Sequence, residues 1–314
     1  MGGGVDYRFE DVRLALAEPN RQLRYGIRSL LLSAGFRNIV DFAEFGALRD
    51  HIERGDVDAV ISEADLPGGD IYDMLRQVRH HRLGKNPFIL AIALTYQPTK
   101  DTVRSIVDSG FDDLILKPIS GGTLVDRLRA LARGRKPFVV THDYIGPDRR
   151  KQSRADEAPL PVLQVPNPLR AKSVTNTDPM SFQRMIDSAI AKINEHKLER
   201  YSVQIAYLVD RLRARYEADG TLGSCAEDIK YLCHVAEDLA RRVRGTPFVY
   251  VTELALSLIS IGERLGAAPD TPDRRDLELL SKISQAFARA FEQTEGTKTL
   301  THEISQSIRD FTAR

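Results

Sequence analysis

Four side chains in the first half of the chain have the types needed to bind and position a phosphoryl group. Two are the acids Glu18 and Glu63, and the others are the hydroxyl of Thr95 and the amine of Lys117. Carboxylates bind divalent metals such as Mg²⁺, while a hydroxyl and a lysine bind phosphoryl oxygens. On its own Glu63 would be interpreted as a solvated loop acid. Whether it belongs to a site depends on whether the secondary-structure elements bring the four residues together.

Each of these residues follows a short apolar run with the length of a strand. Residues 12–132 alternate between strand-like and helical periods through five units, which predicts an α/β fold with a doubly wound, five-stranded parallel sheet. Parallel strands end at the same edge, where open α/β sheets place their chemistry. The pattern therefore brings the four side chains together. The predicted strands are 12–17, 39–42, 59–62, 88–94 and 113–116.

Short motifs at the ends of these strands resemble the receiver domain of two-component response regulators, the CheY-like family. The motifs are Leu66-Pro67-Gly68, Leu94-Thr95, Gly110-Phe111-Asp112-Asp113 and Lys117-Pro118. The resemblance covers residues 10–133. It implies a flavodoxin-like receiver in a signalling protein, with a histidine kinase or another two-component protein as the partner.

The sequence departs from that family at the residues that carry its chemistry. Glu63 replaces the phosphoacceptor aspartate, Pro19 replaces one of two adjacent acids, and Leu114 replaces the usual aromatic switch residue. Glutamate sets its carboxylate one methylene further out, and a displacement of about 1 Å can cost on the order of 100-fold in rate. Losing an acid also weakens the octahedral oxygen ligation of Mg²⁺. We therefore expect no phosphoryl transfer to Glu63, no enzymatic activity and no cofactor, with Mg²⁺ a doubtful ligand.

A longer acid at position 63 can instead reach Lys117 or Thr95 and make a fixed contact. This predicts a pseudo-receiver held in one conformation, with Glu63 as a degenerate phosphoacceptor position. The remnant pocket then consists of Glu18, Thr95, Lys117 and Asp65. Asp65 is an alternative phosphate acceptor, although its position also suits a residue that caps the next turn.

The composition of residues 134–177 indicates a Pro-rich, basic linker. It contains the cluster Gly146-Pro147-Asp148-Arg149-Arg150 and four prolines between residues 155 and 168, which favour a semi-extended connector. Arg150 and Arg154 have a spacing that also occurs where cyclic dinucleotides bind PilZ domains. No alternating-strand barrel follows, so a solvated linker is the favoured interpretation.

Apolar residues recur with a helical period in residues 178–314, which predicts an antiparallel helical bundle domain. Connections between the segments are short, and the first two segments could form one continuous helix. The predicted helices are about 180–196, 198–218, 224–244, 248–265, 273–291 and 300–311.

This helical domain is loosely similar to histidine phosphotransfer bundles, which carry an exposed phosphate-accepting histidine. His234 is the candidate for phosphotransfer here, because it lies off the apolar stripe and should face solvent. That family usually has lysine and glycine three and four residues further on, where this chain has Glu237 and Asp238. Their charge would repel a phosphoryl group, so an ordinary surface histidine is favoured. His302 has no supporting motif.

Composition and charge are those of an ordinary soluble protein. The formal net charge of +1 favours neither nucleic acid nor membrane as a partner. No apolar run is long enough to cross a bilayer, and the start lacks the basic and apolar regions of a signal peptide. Cys225 and Cys233 suit neither a disulfide framework nor a zinc site. We therefore expect a cytoplasmic location.

Three functions remain open from the sequence. The first is a non-catalytic adaptor whose receiver presents a fixed surface and whose helical domain binds a protein partner or forms a homodimer. The second is an active phosphorelay component with phosphate on Asp65 or His234. The third is a DNA-binding regulator, which ranks last because the basic run Arg241, Arg242 and Arg244 is followed by a glycine and an apolar helix.

Overall fold

The computed structural model describes residues 7–96, 98–141, 143–150, 162–244, 246 and 248–291. Two compact units divide the chain, Met1–Ala191 and Lys192–Arg314. The unit boundary falls inside a helix, which differs from the domain boundary at residue 178 that the sequence indicated.

A five-stranded parallel sheet forms the centre of the first unit, which confirms the predicted fold class. The strands lie in the order β2-β1-β3-β4-β5. They are β1 (Arg13–Ala17), β2 (Asn38–Phe42), β3 (Ala59–Glu63), β4 (Leu90–Thr95) and β5 (Asp113–Leu116). The helices between them are α1 (Arg21–Ser33), α2 (Phe45–Arg54), α3 (Ile71–Arg79), α4 (Lys100–Asp108) and α5 (Gly121–Arg133). One apolar cluster packs α1 and α5 on the sheet, and another packs α2, α3 and α4.

Polar side chains fix the start of four of these helices, since they satisfy N–H groups that the first turn leaves without partners. Asn20 Oδ1 accepts from two backbone N–H groups at the start of α1, at 3.0 and 3.1 Å. Asp70, Thr99 and Ser120 cap α3, α4 and α5 in the same way. Asp65, which from the sequence suits a residue that caps the turn after β3, is exposed, and the cap of the helix that follows is Asp70.

The segment after α5 is not the solvated linker that its composition suggested. It adds a small antiparallel sheet in the order β7-β6-β8 and a short helix to the first unit. Phe138, Val140, Ile145 and Leu169 are almost fully buried, so apolar packing outweighs the prolines and arginines here. Arg154 lies outside the described residues. The added elements are β6 (Phe138–Val140), β7 (Ile145–Pro147), β8 (Val162–Leu163) and α6 (Pro168–Ser173).

Helices form the second unit, as predicted. The two segments expected at its start are one continuous helix of 41 residues, α7 (Pro179–Asp219). It is followed by α8 (Ala226–Arg242), α9 (Thr252–Ala267) and α10 (Arg274–Phe291). A single apolar core joins side chains from all four helices. The predicted helix at 300–311, with His302, lies outside the described residues. No described helix has the length and apolar character that a membrane span requires.

Close packing of α8 on α9 depends on Gly262. A Cβ placed at Gly262 would overlap the Sγ of Cys233, whereas a Cβ at Gly266 would lie 3.6 Å from Ile229, an ordinary contact. We expect Gly262→Ala to destabilise the helical unit, whereas Gly266→Ala, at the next-to-last residue of α9, should change its stability little. Urea unfolding followed by circular dichroism measures both. Adding Cys233→Ala should rescue the first variant, and equal stability of the two glycine variants would contradict the packing argument.

Candidate functional site

The four predicted site residues meet at the C-terminal edge of the parallel sheet. Glu63 and Thr95 are the last residues of β3 and β4. Glu18 and Lys117 directly follow β1 and β5. All four are more than nine-tenths buried. Buried charges require partners inside the protein, because burying an unpaired charge is costly.

The amine of Lys117 lies between the two carboxylates. Its Nζ donates to Glu18 Oε2 at 2.6 Å and also to Glu63 Oε2. Only 1% of the lysine side chain is exposed, against 2% of Glu18 and 10% of Glu63. Charge-assisted hydrogen bonds of this kind are strong where water is excluded. The contact between positions 63 and 117 that the longer acid allows is therefore made.

Glu18 is held from its other side as well. Its Oε1 accepts the backbone N–H of Asn20 at 3.0 Å, and its carbonyl oxygen accepts from Arg24 Nη1. Pro19, between Glu18 and Asn20, contributes no charge where the receiver family has a second acid. Both carboxylate oxygens of Glu18 therefore have partners within the protein.

Tyr96 completes the site and was not identified from the sequence. The ring centroid lies 4.7 Å from Lys117 Nζ, a distance at which a cation and an aromatic face attract. The only feature of the sequence that could have identified Tyr96 is its position directly after Thr95. The apolar pattern of a strand does not show that the residue after it lines a pocket. Leu114, at the aromatic switch position of the family, is half-buried and packs on the cluster beneath α2, α3 and α4.

The side chains at this edge do not fit Mg²⁺ as they are arranged. The ion requires near-octahedral oxygen ligation, but both carboxylates are turned onto Lys117. Within the described ranges, no group of three or more His, Cys, Asp or Glu side chains could hold a metal ion. The arrangement can hold an ion pair in place and shield it from water.

The two alternative phosphate acceptors are both exposed to solvent. Asp65 follows β3 and is exposed, and His234 is exposed on α8, as predicted. Glu237 near His234 is also exposed.

Asp238 is buried, which corrects the prediction that its charge faces an incoming phosphoryl group at His234. Its carboxylate accepts from Arg242 Nε at 2.8 Å and Arg241 Nη2 at 2.6 Å, and from the hydroxyl of Tyr201. Burial raises the pKa of that tyrosine above its usual value. The buried face of α8 is wider than the apolar stripe, because two arginines of α8 pair with the acid and a tyrosine hydroxyl of α7 donates to it.

A second buried cluster lies at the opposite end of β4 and β5, and sequence reasoning missed it. Asp112 accepts from Arg79 Nη2 at 3.1 Å and from Arg135 Nε and Nη2 at 2.7 and 2.9 Å. We call these three residues the arginine cluster. Both guanidinium groups also lie over the ring of Phe138, 5.2 and 4.5 Å from its centroid. The carboxylate and the two guanidinium groups thus join α3 and the segment after α5 to the loop before β5.

Backbone carbonyls take up the remaining donors of the cluster. Arg79 donates to the carbonyls of Gly110, Pro87 and Ile89 at 2.7–2.9 Å. Burial lowers the pKa of Arg79 to about 10, which leaves it charged at neutral pH. These bonds fix the loops that lead into β4 and β5, the strands whose other ends carry Thr95 and Lys117.

The Gly146-Pro147-Asp148-Arg149-Arg150 segment supports the same loops. Arg149 Nη2 donates to the carbonyls of Phe111 and Asp112 at 2.8 and 3.0 Å. Arg150 pairs with Asp148, Nη2 to Oδ2 at 2.8 Å. Arg149 and Arg150 therefore make contacts within the first unit.

Comparisons with known proteins agree with the fold of the first unit. The sensory/regulatory protein RpfC of Xanthomonas campestris is 28% identical over 126 residues, which cover 40% of this chain and 17% of that protein. The nitrate/nitrite response regulator NarP of Escherichia coli is 27% identical over 153 residues, 48% of this chain and 68% of that protein. The match thus spans about a sixth of the first relative.

A solved structure and a family profile cover the same region. The receiver domain of the sensor histidine kinase PA1611 from Pseudomonas aeruginosa is 25% identical, covers 38% of this chain and 95% of that one, and has a TM-score of 0.35. The profile of the response regulator receiver domain matches residues 14–129. Residues 14–129 are therefore a CheY-like receiver domain, the module that response regulators of two-component signalling share.

Proposed function

We propose that this receiver domain does not accept phosphate at Glu63 and that the chain is a non-catalytic adaptor of two-component signalling. The receiver then presents one fixed surface, and the helical unit binds a protein such as a histidine kinase or another two-component protein. The observation that carries the proposal is the placement of the Lys117 ammonium between the carboxylates of Glu18 and Glu63.

That ion pair opposes phosphoryl transfer in two ways. An oxygen of Glu63 that bonds Lys117 Nζ is not free to attack phosphorus, and the extra methylene moves the carboxylate away from aspartate geometry. Glu18 has both oxygens engaged, so a metal ion would have to displace Lys117 or the N–H of Asn20 to bind it. The ammonium of Lys117 also neutralises the carboxylates without any phosphate or metal, and so the ion pair would hold the receiver in one conformation.

Incubation of the full chain with acetyl phosphate and Mg²⁺, followed by intact mass measurement, tests the proposal. We expect no added phosphoryl group in the wild-type chain. The matched control is the double variant Pro19→Asp with Glu63→Asp, which restores adjacent acids and the shorter acceptor and should become labelled. A wild-type chain that gains one phosphoryl group, mapped to Glu63 in a peptide, would overturn the proposal.

An active phosphorelay is the second candidate, and the exposure of His234 on α8 is the observation that favours it. Of the two acids expected to repel a phosphoryl group at His234, Asp238 is buried and paired with Arg242. Only Glu237 is exposed to solvent near the histidine. Acid-labile phosphate on His234, or an acyl phosphate on Asp65, after incubation with a histidine kinase would support this candidate. DNA binding has less support, because Arg242 of the basic run is 3% exposed and paired with Asp238.

A further inference from the structure

One face of α7 carries apolar side chains that the helical unit does not cover. Val203 is 71% exposed and Tyr207 is 61% exposed, one turn apart. The inner face of the same helix buries Ile205, Leu208 and Leu212. Two neighbouring apolar side chains opposite a well-packed core face form a small exposed patch that a second surface could cover.

The residues on either side of this pair extend the stripe at the spacing of a coiled-coil seam. Arg200, Val203, Tyr207 and Asp210 follow one another at intervals of three, four and three residues, which places them along one line of an α-helix. We call these four residues the α7 seam. Within the described part of the chain, neither Arg200 nor Asp210 has an ion-pair partner. The seam therefore has an apolar centre and two opposite charges at its ends.

The order of residues along the seam is complementary to itself. When two copies of α7 lie antiparallel with their twofold axis at residue 205, Val203 of one copy faces Tyr207 of the other. The same axis places Arg200 of one copy opposite Asp210 of the other, and the reverse pair repeats the contact. A twofold interface requires this reciprocity, and an unrelated partner would have no reason to match it.

We propose that two copies of this chain associate through antiparallel α7 seams. The apolar pair supplies the centre of the interface, and the two Arg200–Asp210 pairs set its register and direction. The proposal does not depend on the chemistry of Glu63, so it stands or falls separately from the proposed function. It gives the adaptor two helical units per assembly.

Sedimentation equilibrium of the full chain over a range of concentrations tests the proposal. We expect a mass of two chains for the wild type. Tyr207→Glu should weaken association roughly tenfold or more, because it places a charge at the centre of a desolvated contact. Leu256→Glu is the matched control, since Leu256 is 56% exposed on α9 and should leave the mass unchanged. A monomeric wild type at all concentrations would overturn the proposal.

Charge exchange tests the register. Arg200→Asp alone and Asp210→Arg alone each place like charges opposite one another, and each should weaken the dimer. The double variant restores opposite charges across the axis and should recover most of the wild-type affinity. Circular dichroism checks that every variant is folded. A dimer that ignores Tyr207→Glu, or a double variant weaker than both single variants, would show that α7 is not the interface.

Discussion

Lys117→Met should lower the free energy of unfolding of the receiver domain by about 3–5 kcal/mol, the range for breaking a buried ion pair by removing one partner. The change keeps the length and apolar stem of the side chain and removes only its charge. It leaves two carboxylates, 2% and 10% exposed, beside one another without a cation. Urea unfolding at neutral pH, followed by circular dichroism, measures the loss.

Matched variants separate lost charge pairing from lost packing. Glu63→Gln alone keeps the pair between Lys117 and Glu18, so it should cost less than Lys117→Met. The triple variant with Glu18→Gln, Glu63→Gln and Lys117→Met carries no charge in the pocket and should recover much of the stability. Hydrogen exchange of peptides covering β3 and β5 assigns the change to the receiver domain. Wild-type stability for Lys117→Met at neutral pH would mean that the ion pair does not hold this edge together.

The sheet and the meeting of its four site residues were predictable because their causes are local. A strand of alternating or continuous apolar residues followed by a turn can be recognised within about ten residues. Once five such strands are parallel, their ends must converge, so Glu18 and Lys117 meet although 99 residues separate them. The contact of Glu63 with Lys117 was predictable because glutamate is one methylene longer than aspartate.

The buried charges were not predictable because their partners are distant in sequence. Arg79 finds its carboxylate 33 residues away, and Asp238 finds Tyr201 on another helix, 37 residues away. A charged residue on a helix is usually exposed, and a single sequence does not show which one is paired. The same reasoning assigned residues 134–177 to a solvated linker, because arginine and proline outnumber the apolar residues that pack there.

Replacement of Asp112 by alanine should have an effect comparable to that of the lysine variant, at the other end of β4 and β5. Arg79 and Arg135 would then lie buried, at 0% and 3% side-chain exposure, without their carboxylate. We expect a loss of about 3–5 kcal/mol in the free energy of unfolding. Asp108→Ala is the matched control, because its pair with Arg104 is exposed and worth about 0.5 kcal/mol or less.

The pH dependence of this loss has a definite sign. Burial lowers the pKa of Arg79 to about 10, below its usual 12.5, so the folded protein releases this proton at a lower pH than the unfolded chain does. The cost of burying the charge is therefore constant at neutral pH and shrinks only as the pH rises above about 10. Removing Asp112 takes away an attraction that raises this pKa, so the pKa of Arg79 in Asp112→Ala should lie below the wild-type value. Urea unfolding of both proteins at a series of pH values should therefore show a loss that is largest at low pH and shrinks as the pH rises.

Arg135→Met tests whether the segment after α5 is part of the folded receiver. The alternative is that the arginine cluster only attaches a separate segment to it. If the segment after α5 is part of the folded unit, this variant should expose the loops before β4 and β5, because Arg135 bonds the carbonyls of Phe88 and Ile89 at 2.6 and 3.1 Å. Hydrogen exchange in those loops should rise together with exchange in β6. Faster exchange in β6 alone would mean that the receiver ends at α5, and that the arginine cluster fastens a separate element onto it.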